Sequence, residues 1–195
     1  MDLSTWMMRS VGPSSPPQSI GSKITIATMQ GRTATFSTFS DAQFDETTLE
    51  AQLTGDRMAW RFWLYWNLKL RSRLLLGDYA EALAAADKVK PLHPTAIIQI
   101  QALDYFYYEA LTVAACYENA STNQQQAWRE LLMAHREQLR EWAENYPQTF
   151  ADKHVLVSAE IARLEGRAFD AMQIVPAGNS VGPRARLRPE RGGSL

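Results

Sequence analysis

Residues 66–94 read WNLKLRSRLLLGDYAEALAAADKVKPLHP, and this stretch decides the fold. The apolar run ends at Leu76, Gly77 supplies a helix stop, and Asp78-Tyr79 turns the chain. A second helix is predicted from about Ala80, and Pro94 closes it. Helix, glycine turn and helix form one hairpin. Such a unit cannot bury its apolar face alone and has to stack on neighbours.

Upstream, Asp56 stands where it can cap a helix running from about Arg57 to Leu76. Ala59, Trp63, Trp66 and Leu70 follow one another at steps of four, three and four, which places them on one face. Phe62, Leu64, Tyr65 and Leu68 widen that face around most of the circumference, so this helix is expected to be covered on two sides. Earlier still, Ser40 and Gln43 have capping-box spacing, flanked by Phe39 and Phe44 at staple spacing. They predict a short helix to about Leu53, ended by Gly55. Ile24 and Ile26 alternate with polar residues, a strand pattern with no second strand to pair with, so that segment reads as irregular.

Downstream, Thr95 can cap a long helix to about Tyr117, with Ile100, Leu103, Tyr107, Ala110, Ala114 and Tyr117 as its stripe. After the polar loop 119–123, Ser121 and Gln124 repeat the capping-box spacing. Trp128, Leu132, His135, Leu139, Trp142 and Tyr146 mark the next stripe, opposite a mixed-charge face from Arg129 to Glu144. Pro147 ends that helix, Thr149 can cap another to Glu165, and Gly166 stops it before 168–174 begins one more.

GDYAEAL at 77–83 and GRAFDAM at 166–172 share a turn glycine, a nearby aromatic and a small alanine for a close helix crossing. The two glycines are 166 − 77 = 89 positions apart. Two intervening pairs then average about 44 residues, against roughly 34 in the tetratricopeptide repeat that the pattern resembles. The predicted fold is all-α, with antiparallel helix pairs stacked as a tetratricopeptide-like solenoid between irregular N- and C-terminal tails. Residues 1–39 form the irregular N-terminal segment, 40–175 the repeat domain, and 176–195 a disordered tail rich in Arg, Gly and Pro. The last helix is cut short at about Pro176, which reads as a truncated or frame-shifted end, with an authentic disordered tail as the alternative.

With 46% hydrophobic and 21% charged residues, the 195-residue chain has the composition of an ordinary globular domain. Its net charge of −1 gives no field to steer it to nucleic acid or a membrane surface. No apolar run is long enough to span a bilayer, and the best candidate carries Arg61, Lys69, Arg71 and Arg73. The single cysteine, Cys116, excludes an internal disulfide and fits a reducing, cytoplasmic setting.

TATF at 33–36, FDE at 44–46, YFYYEAL at 105–111, WAENYP at 142–147 and KHVLVSAEIARLEG at 153–166 are together similar to a segment of large bacterial signalling proteins. Those proteins join a serine/threonine-kinase-like domain, an AAA-type ATPase domain, helical repeats, a GAF sensor and a histidine kinase. Residues 30–172 resemble the helical repeat region alone. The resemblance implies a scaffold and carries no kinase or ATPase residue onto this chain.

The sequence lacks the phosphate-cradling GxxxxGK[ST] loop, GxGxxG and the protein-kinase motif set. His135 is followed by Arg136 and lies in an apolar stripe, so it reads as a packing residue and not a phosphoacceptor. His93, His135 and His154 have no partner at i, i+4 spacing, and no metal site is expected. Cys116, among alanines, reads as a small buried residue. The function expected is a non-catalytic interaction or spacer module with no cofactor, probing a protein partner or a second copy through Trp63, Trp66, Tyr107 and Tyr108. The alternative is a regulatory domain holding a small apolar ligand between helices.

Overall fold

A computed structural model describes residues 26–28, 30–35, 38–41, 45–52, 59–92, 100–167 and 169. Every regular element among them is helical, and the helices pack in pairs. Besides a helical stretch at residues 26–28, they are in order α1 (Glu46–Gln52), α2 (Ala59–Leu75), α3 (Tyr79–Val89), α4 (Ile100–Cys116), α5 (Thr122–Asn145) and α6 (Pro147–Leu164). Short 3-10 turns follow α3 at Lys90–Leu92 and α4 at Tyr117–Asn119. The chain divides into two compact units, Met1–His135 and Arg136–Leu195, with the boundary inside α5. No helix of the described residues is long and apolar enough to cross a membrane.

In the first unit α2 packs along α3, and both meet α4. Ala82, Ala85, Ala86 and Val89 lie on one face of α3 and are all buried. Their small side chains let the α3 backbone lie close to α2, where Trp63, Leu64 and Leu70 fill the space, with Tyr105 arriving from α4. Full burial of a residue of this size stabilises the fold by roughly 1.5–3 kcal/mol. The buried hydroxyls of Ser72 and Thr112 donate to the carbonyls of Leu68 and Tyr108, both at 2.8 Å, so neither position leaves an unmet polar group.

The α2–α3 turn closes as the sequence predicts. Gly77 has φ +80°, its N–H donates to Leu74, and the Asp78 N–H donates back to Arg73. This is a Schellman ending, which satisfies carbonyls left over at the helix terminus. Asp78 then caps α3 by accepting from the Glu81 N–H. The end of α6 is built identically: Gly166 at φ +76° donates to Arg163, and Arg167 donates to Ala162. A third copy sits at Gly31, where residues 26–28 are helical although their sequence reads as irregular. There the Gly31 and Arg32 amides donate to Thr28 and Ala27. An alternating Ile24 and Ile26 masks a helix end whose real marker is the glycine.

Other boundaries differ from the sequence reading. Helix α1 starts at Glu46 and not after Ser40, because the Asp45 carboxylate accepts from the Thr47 N–H at 3.0 Å and from the Thr47 and Thr48 hydroxyls. Ser40 instead accepts the Glu46 N–H across six residues. Helix α6 starts at Pro147, where a missing N–H costs nothing, so Thr149 lies inside the first turn and is not its cap. Ser121 does cap α5, accepting from the Gln124 N–H. The proposed caps Asp56 and Thr95, the closing Pro94, and the segment 170–195 lie outside the described residues.

In the second unit, the end of α5 and α6 meet through the rings of Trp142 and Phe150, centroids 5.4 Å apart. Phe150, Val157, Ala159, Ile161 and Ala162 are the buried side of α6. On the solvent side Arg140 bridges Glu137 and Glu144, one turn away in each direction.

Candidate functional site

The four aromatic residues expected to touch a partner separate into two kinds. Trp63 is 2% exposed and belongs to the α2–α3–α4 core, so it is a packing residue and not a contact surface. Trp66 and Tyr108 are half-buried and pack on the margin of the same core. Tyr107 meets Tyr108 edge to face at 5.1 Å, and the Arg71 guanidinium lies 5.6 Å from the Tyr108 ring centre. Trp66, Tyr107 and Tyr108 therefore remain within reach of a partner.

A second grouping is charged, and the sequence did not announce it. Lys69 and Arg73, one turn apart on α2, are 4% and 0% exposed. Burying two cations requires opposite charge close by. Glu46 and Glu50, one turn apart on α1, provide it. Lys69 Nζ lies 2.6 Å from Glu46 and 2.7 Å from Glu50, and Arg73 Nη2 lies 3.1 Å from Glu46. Glu46 also accepts from the Thr38 hydroxyl and from the Phe39 amide. The Phe39 ring sits under the Arg73 guanidinium at 4.7 Å and meets Tyr65 edge-on at 6.1 Å. The Tyr65 hydroxyl donates to Glu50 at 2.7 Å.

Titration behaviour follows from this geometry. Burial pushes the Glu46 carboxyl upward, but the hydrogen bonds from Lys69 and the Phe39 amide, with the Lys69 charge, outweigh it and hold the group below its ordinary value. Burial likewise works against the Lys69 charge, and Glu46 and Glu50 reverse that to hold the ammonium above its ordinary value. Burial, then the bond to Glu50, raises the Tyr65 phenol. Each shift favours keeping the ions paired, the signature of a structural clasp and not of a group poised to exchange protons at neutral pH.

A third grouping joins α4 to α5. His135 Nε2 is 2.6 Å from a Glu109 carboxylate oxygen, and the other oxygen is 3.8 Å from Lys90. Glu109 is buried, and Phe106 packs its ring edge-on to His135 at 4.9 Å. Burial, followed by the Glu109 charge and a bond to Glu109, raises the Tyr105 phenol. His135 is thus spoken for by packing and by Glu109. In the second unit, His154 contacts the Ser158 hydroxyl at 3.3 Å, and burial with Arg136 and Arg140 lowers its pKa.

Cys116 ends α4 with its Sγ 3.7 Å from the Tyr79 carbonyl, and burial raises its thiol pKa, the opposite of an activated nucleophile. Among the described residues no three His, Cys, Asp or Glu side chains converge so as to hold a metal ion. The cue to the charged grouping was present as two i, i+4 pairs of opposite sign, Glu46/Glu50 and Lys69/Arg73, with Glu50 and Lys69 19 positions apart. Reading Lys69 and Arg73 only as interruptions of an apolar helix concealed it. Comparison of the chain with protein-family models, with curated proteins and with solved structures found no match in any of the three.

Proposed function

We propose that this chain is a non-catalytic interaction or spacer module, a tetratricopeptide-like stack of helix pairs akin to the repeat region of multidomain bacterial signalling kinases, working in the cytoplasm. The observation that supports it most is the α2–α3 hairpin, closed at a glycine turn and packed through an alanine-rich face. The left-handed glycine and paired back-donated amides of Gly77 recur at Gly166, in keeping with repeated units, and also at Gly31 ahead of the repeat domain. The buried charges also favour a scaffold, since they are engaged with one another at the joints between helices.

On this reading the partner is a protein, and the margin formed by Trp66, Tyr107 and Tyr108 is where it docks. The test is a calorimetric titration of the chain with kinase-like and ATPase-like modules of the signalling proteins it resembles. Binding that weakens at least tenfold in a Trp66→Ala/Tyr108→Ala variant with an unchanged helical spectrum supports the proposal. Absence of binding to every such module, or nucleotide turnover by the purified chain alone, overturns it.

A further inference from the structure

The attachment of residues 38–41 and 45–52 to α2 rests more heavily on buried charge than the α2–α3–α4 core does. The α2–α3–α4 core is mainly alanine, leucine and aromatic side chains, with charge at its edges in Glu81 near Lys69 and in the Glu109–His135 pair of α4 and α5. In the attachment one aromatic ring and two carboxylates hold the segment: Phe39, Glu46 and Glu50 against Tyr65, Lys69 and Arg73. Helix α1 has seven residues, too few to be stable by itself in water, so it takes its shape from the surface under it. Undocking it uncovers the Phe39 and Tyr65 rings but returns Glu46, Glu50, Lys69 and Arg73 to water, so regained ion hydration offsets part of the cost of separation. What it uncovers is specific: two cations one helical turn apart, beside the Tyr65 ring.

We propose that this face of α2 is a docking groove for a short acidic helix with an aromatic residue ahead of it, and that Phe39 and helix α1 fill it in cis as a releasable plug. The occupant in trans is a partner segment of that chemistry, with two carboxylates one turn apart and an aromatic ring several residues before them. The chain's own segment demonstrates the fit. The paired spacing of Glu46/Glu50 and Lys69/Arg73 sets the register, and charge complementarity sets the partner's sign. The tethered plug competes at the high effective concentration of an intramolecular ligand, so a trans partner gains access in proportion to release of the plug. The groove adjoins the docking margin at Trp66, whose ring lies 5.3 Å from Lys69 Nζ and 5.2 Å from the Tyr65 ring, and the acidic peptide below separates the two, because a Trp66→Ala/Tyr108→Ala chain keeps Tyr65, Lys69 and Arg73.

The probe is a fluorescent peptide of residues 33–52, titrated into the full chain and followed by anisotropy. A Glu46→Gln/Glu50→Gln full chain, whose plug is weakened and whose groove is untouched, is expected to bind the peptide at least tenfold more tightly than the wild-type chain does. Raised salt should weaken that binding. A peptide carrying Glu46→Lys and Glu50→Lys should not bind. Should the double variant lose its helical spectrum, Ser40→Ala loosens the plug more gently and is expected to give the same rank order. Equal affinity of wild-type and plug-weakened chains, no binding to either, or equal binding of a scrambled peptide of the same charge would overturn the proposal.

Discussion

Trp63 and Trp66 differ by one turn of α2, yet their roles diverge, and a single substitution at each separates them. Trp63→Ala removes a large ring from a closed core and is expected to cost about 3–5 kcal/mol, read as a shift of the urea midpoint. Trp66→Ala, at the margin, should cost well under half of that. The sequence selected both because both fall in the same stripe. A helix apolar nearly all round gives no hint of which side its neighbours leave open, since that depends on where α3 and α4 lie. The same limit hid Lys69 and Arg73. Their charge argued for solvent, and only the arrival of Glu46 and Glu50 from a segment some twenty residues earlier reverses the argument.

Helix ends were read best where a backbone requirement dictated the residue. Gly77 and Gly166 were legible because φ near +80° excludes most L-residues, and the structure places a left-handed glycine at each. An added methyl group at either would meet nothing within 4 Å, so the cost of alanine is purely conformational. Gly77→Ala and Gly166→Ala are each expected to destabilise by about 1–2 kcal/mol in urea titrations. Asparagine at either position should cost less, because it tolerates the left-handed region. Caps supplied by side chains were read less well. Ser40, Asp45 and Thr149 all have plausible cap chemistry, and the choice among them rests on where the chain turns, which for Asp45 meant a carboxylate with hydroxyls at 47 and 48. Helix existence and the hairpin were thus evident beforehand; the clasp between α1 and α2 was not.

For the molecule as a whole, the clasp sets a stability window in pH. Glu46 is held below the ordinary glutamate value of 4.5, so its contribution is complete above that value and is lost as pH falls through the folded-state value. Lys69 is held above 10.5, so its contribution is complete below that value and fades only as pH rises past the folded-state one. Thermal midpoints of the wild-type chain should therefore include a clasp contribution that is flat between those limits, and a Glu46→Gln chain should differ least from wild type in strong acid. One further feature has practical reach. Cys116 supplies the only sulfhydryl in the 195-residue chain, and it sits where the end of α4 meets the start of α3. Iodoacetamide would thus alkylate a single, known spot, sluggishly at neutral pH because so little thiolate is present there. Its rate should climb when urea parts that seam, which turns an ordinary mass-spectrometric time course into a stopwatch for one joint of the protein.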